Sequence, residues 1–369
     1  MKIEQIYTGC LAQGAYYIES NGEAAIIDPL RETQPYIDRL TKDGVSLKYI
    51  FETHFHADFV SGHLDLSKKT GAPIVYGPTA NPEFEAIVAN DGQLFTIGNI
   101  KIKVLHTPGH TLESTTYLLI DEQGKETAIF SGDTLFLGDV GRPDLAQKAA
   151  NMSKEDLAGM LYDSLYTKIL PLADDVTVYP AHGAGSACGK NMMKETVDTL
   201  GNQKKMNYAL NQPSKQAFIE AVTDGLLPPP AYFGMNVAMN KKGYQLRNAS
   251  IDSTKPNKAK NTEYIKQLLR SKLTWSNTCI VLIGPKTHSR EWVNWEIEQA
   301  YKKQNRIVGV YINGASGVDL PENFNKYGDA LVGWNSKNIE SVLEGENKWY
   351  EPNDTPRINS PYAPSFGVC

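Results

Sequence analysis

Thr53-His54-Phe55-His56-Ala57-Asp58-Phe59-Val60-Ser61-Gly62-His63 carries three histidines and an aspartate. The apolar run Leu47-Lys48-Tyr49-Ile50-Phe51 just before it has strand length, so the histidines begin where a strand ends. The same arrangement recurs downstream. His106-Thr107-Pro108-Gly109-His110 follows a strand expected over 100–105, and Ser131-Gly132-Asp133-Thr134 closes one over 128–131. Tyr179-Pro180-Ala181-His182-Gly183 ends another over 176–179, and six of the seven histidines precede residue 183. Taken singly these features are weak: Asp133 suits a turn, and His182 suits a hydrogen-bonded core histidine. Four strand ends in one domain, each presenting a donor, point to a metal site instead. Imidazole with carboxylate suits zinc, iron or manganese. His63, on the helix after the motif, and His106, before the Thr-Pro-Gly turn, read as structural.

The flanking sequence supplies a frame. Pro35 to Gly44 places Tyr36, Ile37 and Leu40 on one helical face with a glycine stop. Ser153-Lys154-Glu155-Asp156 has the form of a capping box, and Leu157, Met160, Leu161 and Leu165 follow at helical spacing. Strands are also expected over 23–28 and 115–120. Several strand pairs have no helix between them, which favours stacked sheets with outer helices. Leu226-Leu227-Pro228-Pro229-Pro230 breaks the pattern. A domain boundary is placed between Tyr244 and Arg247. Beyond it, helices (263–272, 290–303) alternate with strands (279–283, 307–312, 330–334), the habit of a parallel sheet. The tail after Tyr350 reads as irregular.

With 41% hydrophobic and 21% charged residues, the 369-residue chain is far from a disordered composition. A net charge of −5 argues against a general nucleic-acid binder. No apolar run approaches the roughly 18–20 residues of a membrane helix. No signal-peptide core follows Met1, and the four cysteines (Cys10, Cys188, Cys279, Cys369) lack paired spacing. A cytoplasmic protein is expected, with no membrane or nucleic-acid partner. A homo-oligomer is compatible with the sequence, which fixes no oligomeric state.

His54-x-His56-x-Asp58, then His110, Asp133 and His182, resembles the metal-binding pattern of the metallo-β-lactamase superfamily over about residues 1–240. The resemblance implies an α/β fold, an αββα sandwich with the metal at one edge of the sheets. Glu52 to Gly62 and Gly132-Asp133-Thr134-Leu135-Phe136-Leu137-Gly138-Asp139-Val140-Gly141-Arg142-Pro143-Asp144 are similar to bacterial persulfide dioxygenases, whose relatives carry rhodanese domains downstream. Binuclear superfamily members have a histidine where this chain has Phe59, a side chain with no donor atom. The resemblance therefore implies one Fe(II) per chain held by His54, His110 and Asp133, with open positions for substrate and O₂. It further implies oxygenation of a low-molecular-weight thiol persulfide to thiol and sulfite. His56 is expected to orient water and ligands, Asp58 to lie in the catalytic group, and Arg142 to offer a charged fork to an anionic substrate. Outside the family pattern, Arg142 reads equally as a surface salt bridge. Cys188 is assigned no catalytic role. The alternative is a zinc hydrolase of a thioester or lactone, with His56 and Asp58 as ligands.

A second resemblance covers 246–348. Leu246 to Pro256, Ile280-Val281-Leu282-Ile283-Gly284-Pro285-Lys286-Thr287 and Trp292-Val293-Asn294-Trp295-Glu296 look like the TIR-like domains of the Thoeris anti-phage type. That implies a flavodoxin-like sheet, in which Glu296 matches the glutamate that cleaves NAD in catalytic TIR domains. By composition alone Glu296 is equally a solvated helix residue. The family's first strand and helix are not evident before Leu246, so this half is expected to be partial. The organisation expected is thus 1–244, a TIR-like 245–348 and a tail over 349–369. The third functional reading is an NAD-processing or signalling module in anti-phage defence.

Overall fold

The computed structural model describes residues 1–9, 11–230, 232–243, 276–357 and four positions between 266 and 273. The chain folds as two compact units, one of Met1–Pro230 with Asn236–Gln245 and one of Ala231–Met235 with Leu246–Cys369.

The first unit contains two six-stranded sheets. One has the order β1 (Lys2–Thr8), β2 (Gln13–Ser20), β3 (Glu23–Ile27), β4 (Ser46–Phe51), β5 (Ile74–Tyr76), β6 (Ile87–Val88). The other runs from β12 (Asp198–Thr199) through β11 (Thr177–Pro180), β10 (Glu126–Gly132), β9 (Thr115–Ile120) and β8 (Ile100–His106) to β7 (Leu94–Ile97). Successive strand residues point to opposite faces, and the sequence uses that period on both sheets. Tyr16, Ile18, Ala25, Ile27, Ile102, Val104, Tyr117, Leu119 and Phe130 fill the layer between the sheets. Ala15, Tyr17, Ala24, Ile26 and Ile50 face outward and are covered by Tyr36 and Leu40 of α1 (Gln34–Asp43) and Leu66 of α2 (His63–Thr70). On the other outer face, Leu118, Ile129 and Val178 meet residues of α4 (Lys154–Ser164), α5 (Leu200–Met206) and α6 (Lys215–Thr223). The short α3 (Gln147–Ala150) precedes α4, and α7 (Phe233–Lys242) follows α6. The result is a four-layer αββα sandwich.

Local chemistry sets the element ends. Gly44 closes α1 in the left-handed region, at φ 67°. Ser153 and Asp156 form a complete reciprocal box at the start of α4. Strands β8, β10 and β11 run in one direction, because β9 is antiparallel to both β8 and β10 and β11 is parallel to β10. Their C-terminal ends therefore lie along one edge of the sheet. Backbone bonds tie that edge to the other sheet: Thr115 N–H donates to Thr53 O at 2.9 Å, and Gly14 N–H to Ala181 O at 2.8 Å.

The second unit has a parallel sheet in the order β13 (Thr278–Ile283), β14 (Arg306–Tyr311), β15 (Ala330–Val332). Helices Glu291–Lys302, Glu322–Tyr327 and Ser336–Leu343 connect and follow these strands. Val281, Ile283, Ile307 and Leu331 pack with Ile297 and Phe324 on one face, and Val308, Val310 and Val332 with Ile339 and Val342 on the other. This is the alternating α/β pattern expected downstream of the boundary. The helix expected over 263–272 falls largely outside the described residues, as do residues 244–265; before Leu246, the described residues 232–243 are helical from Phe233 to Lys242 and include no strand.

Candidate metal centre

Loop 52–62 joins β4 to α2 and delivers His54, His56 and Asp58. His110 lies between β8 and β9, Asp133 immediately follows β10, and His182 follows β11. All of these side chains are at least nine-tenths buried. The approach is close enough to need glycine. Gly132 has φ +55°, and a Cβ there would meet Thr53 Cβ at 2.7 Å; a Cβ on Gly141 would meet Asp133 O at 1.9 Å.

His54, His110 and Asp133 bring one donor atom each within 4.8 Å of one another. His54 Nε2 is 3.8 Å and His110 Nε2 3.4 Å from Asp133 Oδ2. Metal–ligand bonds of about 2.0–2.2 Å separate neighbouring donors by roughly 3–3.5 Å, so His110 and Asp133 are already at that spacing and His54 needs to move in by only a few tenths of an ångström. Asp133 Oδ2 is buried without a hydrogen-bond partner, the condition of an atom reserved for a cation. The two rings are oriented from behind. His110 Nδ1 donates to Arg142 O at 2.9 Å. His54 Nδ1 meets Thr53 Oγ1 at 3.0 Å, and that hydroxyl donates to Asp28 Oδ2 at 2.8 Å. Both histidines thereby present Nε2 toward Asp133. Burial, with the neighbouring His56, holds His54 well below the ordinary imidazole range, so it stays neutral.

His182 is held differently. Its Nδ1 donates to Asp133 Oδ1 at 2.7 Å and its Nε2 to Asp58 Oδ2 at 2.8 Å. Burial alone would lower its pKa, but the two carboxylates override that and raise it well above the usual value. With both ring nitrogens engaged by carboxylates, His182 turns neither of them to the His54–His110–Asp133 point. Cys188, which the sequence reading set aside, reaches the same spot, with its sulfur grouped with Asp58 and His182. Burial, then Asp133 and Asp58, raise its pKa and keep it a thiol.

His56 is not grouped with His54, His110 and Asp133, although its ring lies 4.3 Å from that of His54 and its Nδ1 is buried without a hydrogen-bond partner. Its Nε2 is 3.1 Å from Asp28 Oδ1 and 3.3 Å from Glu52 Oε2, its ring stacks on Phe59 at 4.3 Å, and burial is outweighed by the two carboxylates, which raise it to about 10. Glu52 is the hub: it also accepts from Ser61 Oγ and lies 3.2 Å from His63 Nδ1. His106 Nε2 meets Leu112 O at 2.8 Å, so neither His63 nor His106 joins the cluster. Arg142 differs from its expected role. Its Nε and one terminal nitrogen donate to Asp144 Oδ1 and Oδ2 at 2.7 and 2.8 Å, and its remaining donors serve Ala187 O and Leu227 O. The fork is occupied by this chain and buried, so it is neither a surface bridge nor an open anion clamp. Its contribution to the cluster is its carbonyl, which orients His110. Glu296 belongs to the second unit, where burial and, after it, the Glu296 carboxylate push the Cys279 thiol up to about 12.

Asn236 and Asn240 of α7 were missed. Their side chains are buried and bond the backbone of the His56–Ser61 loop. The available signal was two asparagines four residues apart, both weak helix formers, inside a helix.

Residues 8–182 match the family model of the metallo-beta-lactamase superfamily. A hydroxyacylglutathione hydrolase of Francisella philomiragia is 30% identical over 203 residues, 55% of this chain and 73% of that protein. The chain belongs to the metallo-β-lactamase superfamily. Within it, the human mitochondrial persulfide dioxygenase ETHE1 is 29% identical over 222 residues, 60% of this chain and 79% of that protein. The crystal structure of a metallo-beta-lactamase from Staphylococcus aureus subsp. aureus COL superposes with TM-score 0.63 at 29% identity, covering 84% of this chain and 91% of that one. The superfamily fold binds metal ions, and the His54–His110–Asp133 cluster is a candidate for that role. Residues 233–317 match the TIR-like domain of Thoeris protein ThsB. That match begins earlier than expected and takes in α7, whose residues from Asn236 on belong to the first unit. No helix among the described residues is long and apolar enough to cross a membrane.

Proposed function

We propose that the first unit is a mononuclear Fe(II)-dependent dioxygenase that converts a low-molecular-weight thiol persulfide, O₂ and water to thiol and sulfite. The observation that carries this reading is the asymmetry of the histidines. His54 and His110 each keep a free Nε2 beside the orphaned Asp133 oxygen, while His182 is tied at both nitrogens and position 59 offers no donor. Two imidazoles and one carboxylate leave open positions, as in non-heme iron oxygenases. Iron bound there would supply the electrons for O₂ chemistry, which redox-inert zinc does not. The protein's own part is to hold two imidazoles and one carboxylate on a common point. It also keeps the flanking Asp58–His182 pair as a buried proton-bearing neighbour. The similarity to a human persulfide dioxygenase supports the substrate class.

The test is metal analysis of purified protein with oxygen uptake on glutathione persulfide. Stoichiometric iron and oxygen consumption coupled to sulfite are expected. Two zinc ions per chain with no oxygen uptake, or turnover of S-lactoylglutathione in anaerobic buffer, would support the hydrolase reading instead. That second reading has its own support in the similar hydroxyacylglutathione hydrolase. For the second unit, an NAD-processing or signalling role is the reading that its TIR-like match favours.

A further inference from the structure

Loop 52–62 carries the metal-motif side chains but forms neither helix nor ladder over most of its length. Buried backbone without such partners must be satisfied by side chains or water. Over residues 56–61 that task falls to one helix face more than 170 positions away. Asn240 Nδ2 donates to His56 O at 2.8 Å and to Phe59 O at 2.9 Å, and Asn240 Oδ1 accepts from Ser61 N–H at 2.8 Å. One turn earlier, Asn236 Nδ2 donates to Ala57 O at 2.9 Å. Asn240 is 2% exposed and Asn236 8%, so water does not compete for these bonds. Asn240 alone uses both amide hydrogens and its oxygen on three residues of the loop, a three-point attachment that fixes the backbone torsions between them.

We propose that Asn240, assisted by Asn236, is a positioning residue of the metal centre. By pinning the backbone at 56, 57, 59 and 61 it holds His56 against Asp28 and Glu52, keeps Phe59 stacked on His56, and aims Asp58 at His182. His54, two residues before the first pinned carbonyl, is thereby set opposite His110 and Asp133. Neither asparagine touches a donor atom, and both lie beyond the 8–182 stretch matched by the superfamily model. The inference rests on the metal-centre reading, and not on the identity of the substrate or of the native ion.

The test uses the full-length chain, stripped with a chelator and titrated with Co(II), whose visible bands report ligand geometry. Asn240→Leu removes the amide at similar volume. Asn236→Ala removes a single bond, and Phe218→Leu weakens the α4–α6 core without touching the loop. Outer-shell partners of metal ligands typically govern affinity by about 10–100-fold. Asn240→Leu should therefore weaken Co(II) binding by about ten-fold or more and shift the bands, and Asn236→Ala should shift them less. Phe218→Leu should keep the wild-type spectrum despite a lower Tm. A folded Asn240→Leu with wild-type bands and affinity overturns the inference. If that variant does not fold, wild-type bands in Asn236→Ala overturn it, and shifted bands support it. Absence of Co(II) binding by the wild-type chain would instead remove the metal centre itself.

Discussion

Replacing Phe59 by histidine restores a donor at the position where binuclear relatives keep one. Phe59 is buried, and its ring stacks on His56 at 4.3 Å. Burying a phenylalanine side chain is worth roughly 1.5–3 kcal/mol, and an imidazole recovers part of it, so the metal-free variant should lose about 1–2 kcal/mol. In a domain of this size that is about 2–8 °C in Tm. Adding zinc should reverse the sign. Asp58, His182, the new histidine and a shared Asp133 would form a second site, once the proton on His182 is displaced. Zinc at about one hundred times its Kd adds about 2.7 kcal/mol by mass action, a gain the wild-type chain lacks for this site. Metal analysis after equilibrium dialysis should give about one zinc per wild-type chain and about two per Phe59→His chain, with calorimetry recording the larger zinc-induced rise. Two zinc ions in the wild-type chain would refute the reasoning from Phe59 and His182 together. One in the variant would assign the exclusion to the His182 proton alone.

Arg142→Ala should cost about 3–5 kcal/mol in urea unfolding, because it leaves the Asp144 carboxylate and two carbonyls without their partner; a loss under about 1 kcal/mol would show that the buried pair is dispensable. In the metal-stripped protein, His182 and its neighbours hold Asp133 and Asp58 below the ordinary 3.8 against the opposing effect of burial. Their stabilisation is present above that value and lost as the pH falls through the lowered pKa, so the urea midpoint should fall steadily below about pH 4. His182 contributes with the opposite sign. Its raised pKa stabilises below 6.5 and that contribution is lost as the pH rises through the folded value. A flat midpoint in acid would contradict the carboxylate argument. Glu296→Gln should lower the rate of NAD loss by the purified chain; an unchanged rate would remove Glu296 from any NAD chemistry of the second unit.

Strand ends were the most legible part of the molecule. Apolar runs at 47–51, 100–105, 115–120 and 128–131 become β4, β8, β9 and β10, because each is bounded by turn residues and needs no distant partner to be recognised. The edge strand β1 was not legible because polar residues dilute its apolar pattern, and β5–β7 because runs of two to four residues are too short to show a period and only pairing defines them. Donor residues could be read as types, but not the way they point. Nothing local says that His56 turns to Asp28 or that His182 spends both nitrogens on carboxylates, since these contacts join segments tens to more than a hundred residues apart. The Arg142–Asp144 pair lies only two residues apart, but its burial, with the carbonyls of Ala187 and Leu227, is set by distant segments. Asn240 was the least legible, since its role rests on bonds reaching back to residues 56–61.

The shared helix α7 sets where such a fusion can be recombined. A crossover that exchanged the downstream half at Phe233, where the ThsB-type similarity starts, would carry away the amides that brace the upstream histidine loop. A breakpoint beyond Gln245 leaves them in place. Gene shuffling between such families is thus expected to preserve this short helix with its upstream parent, whatever cargo follows it.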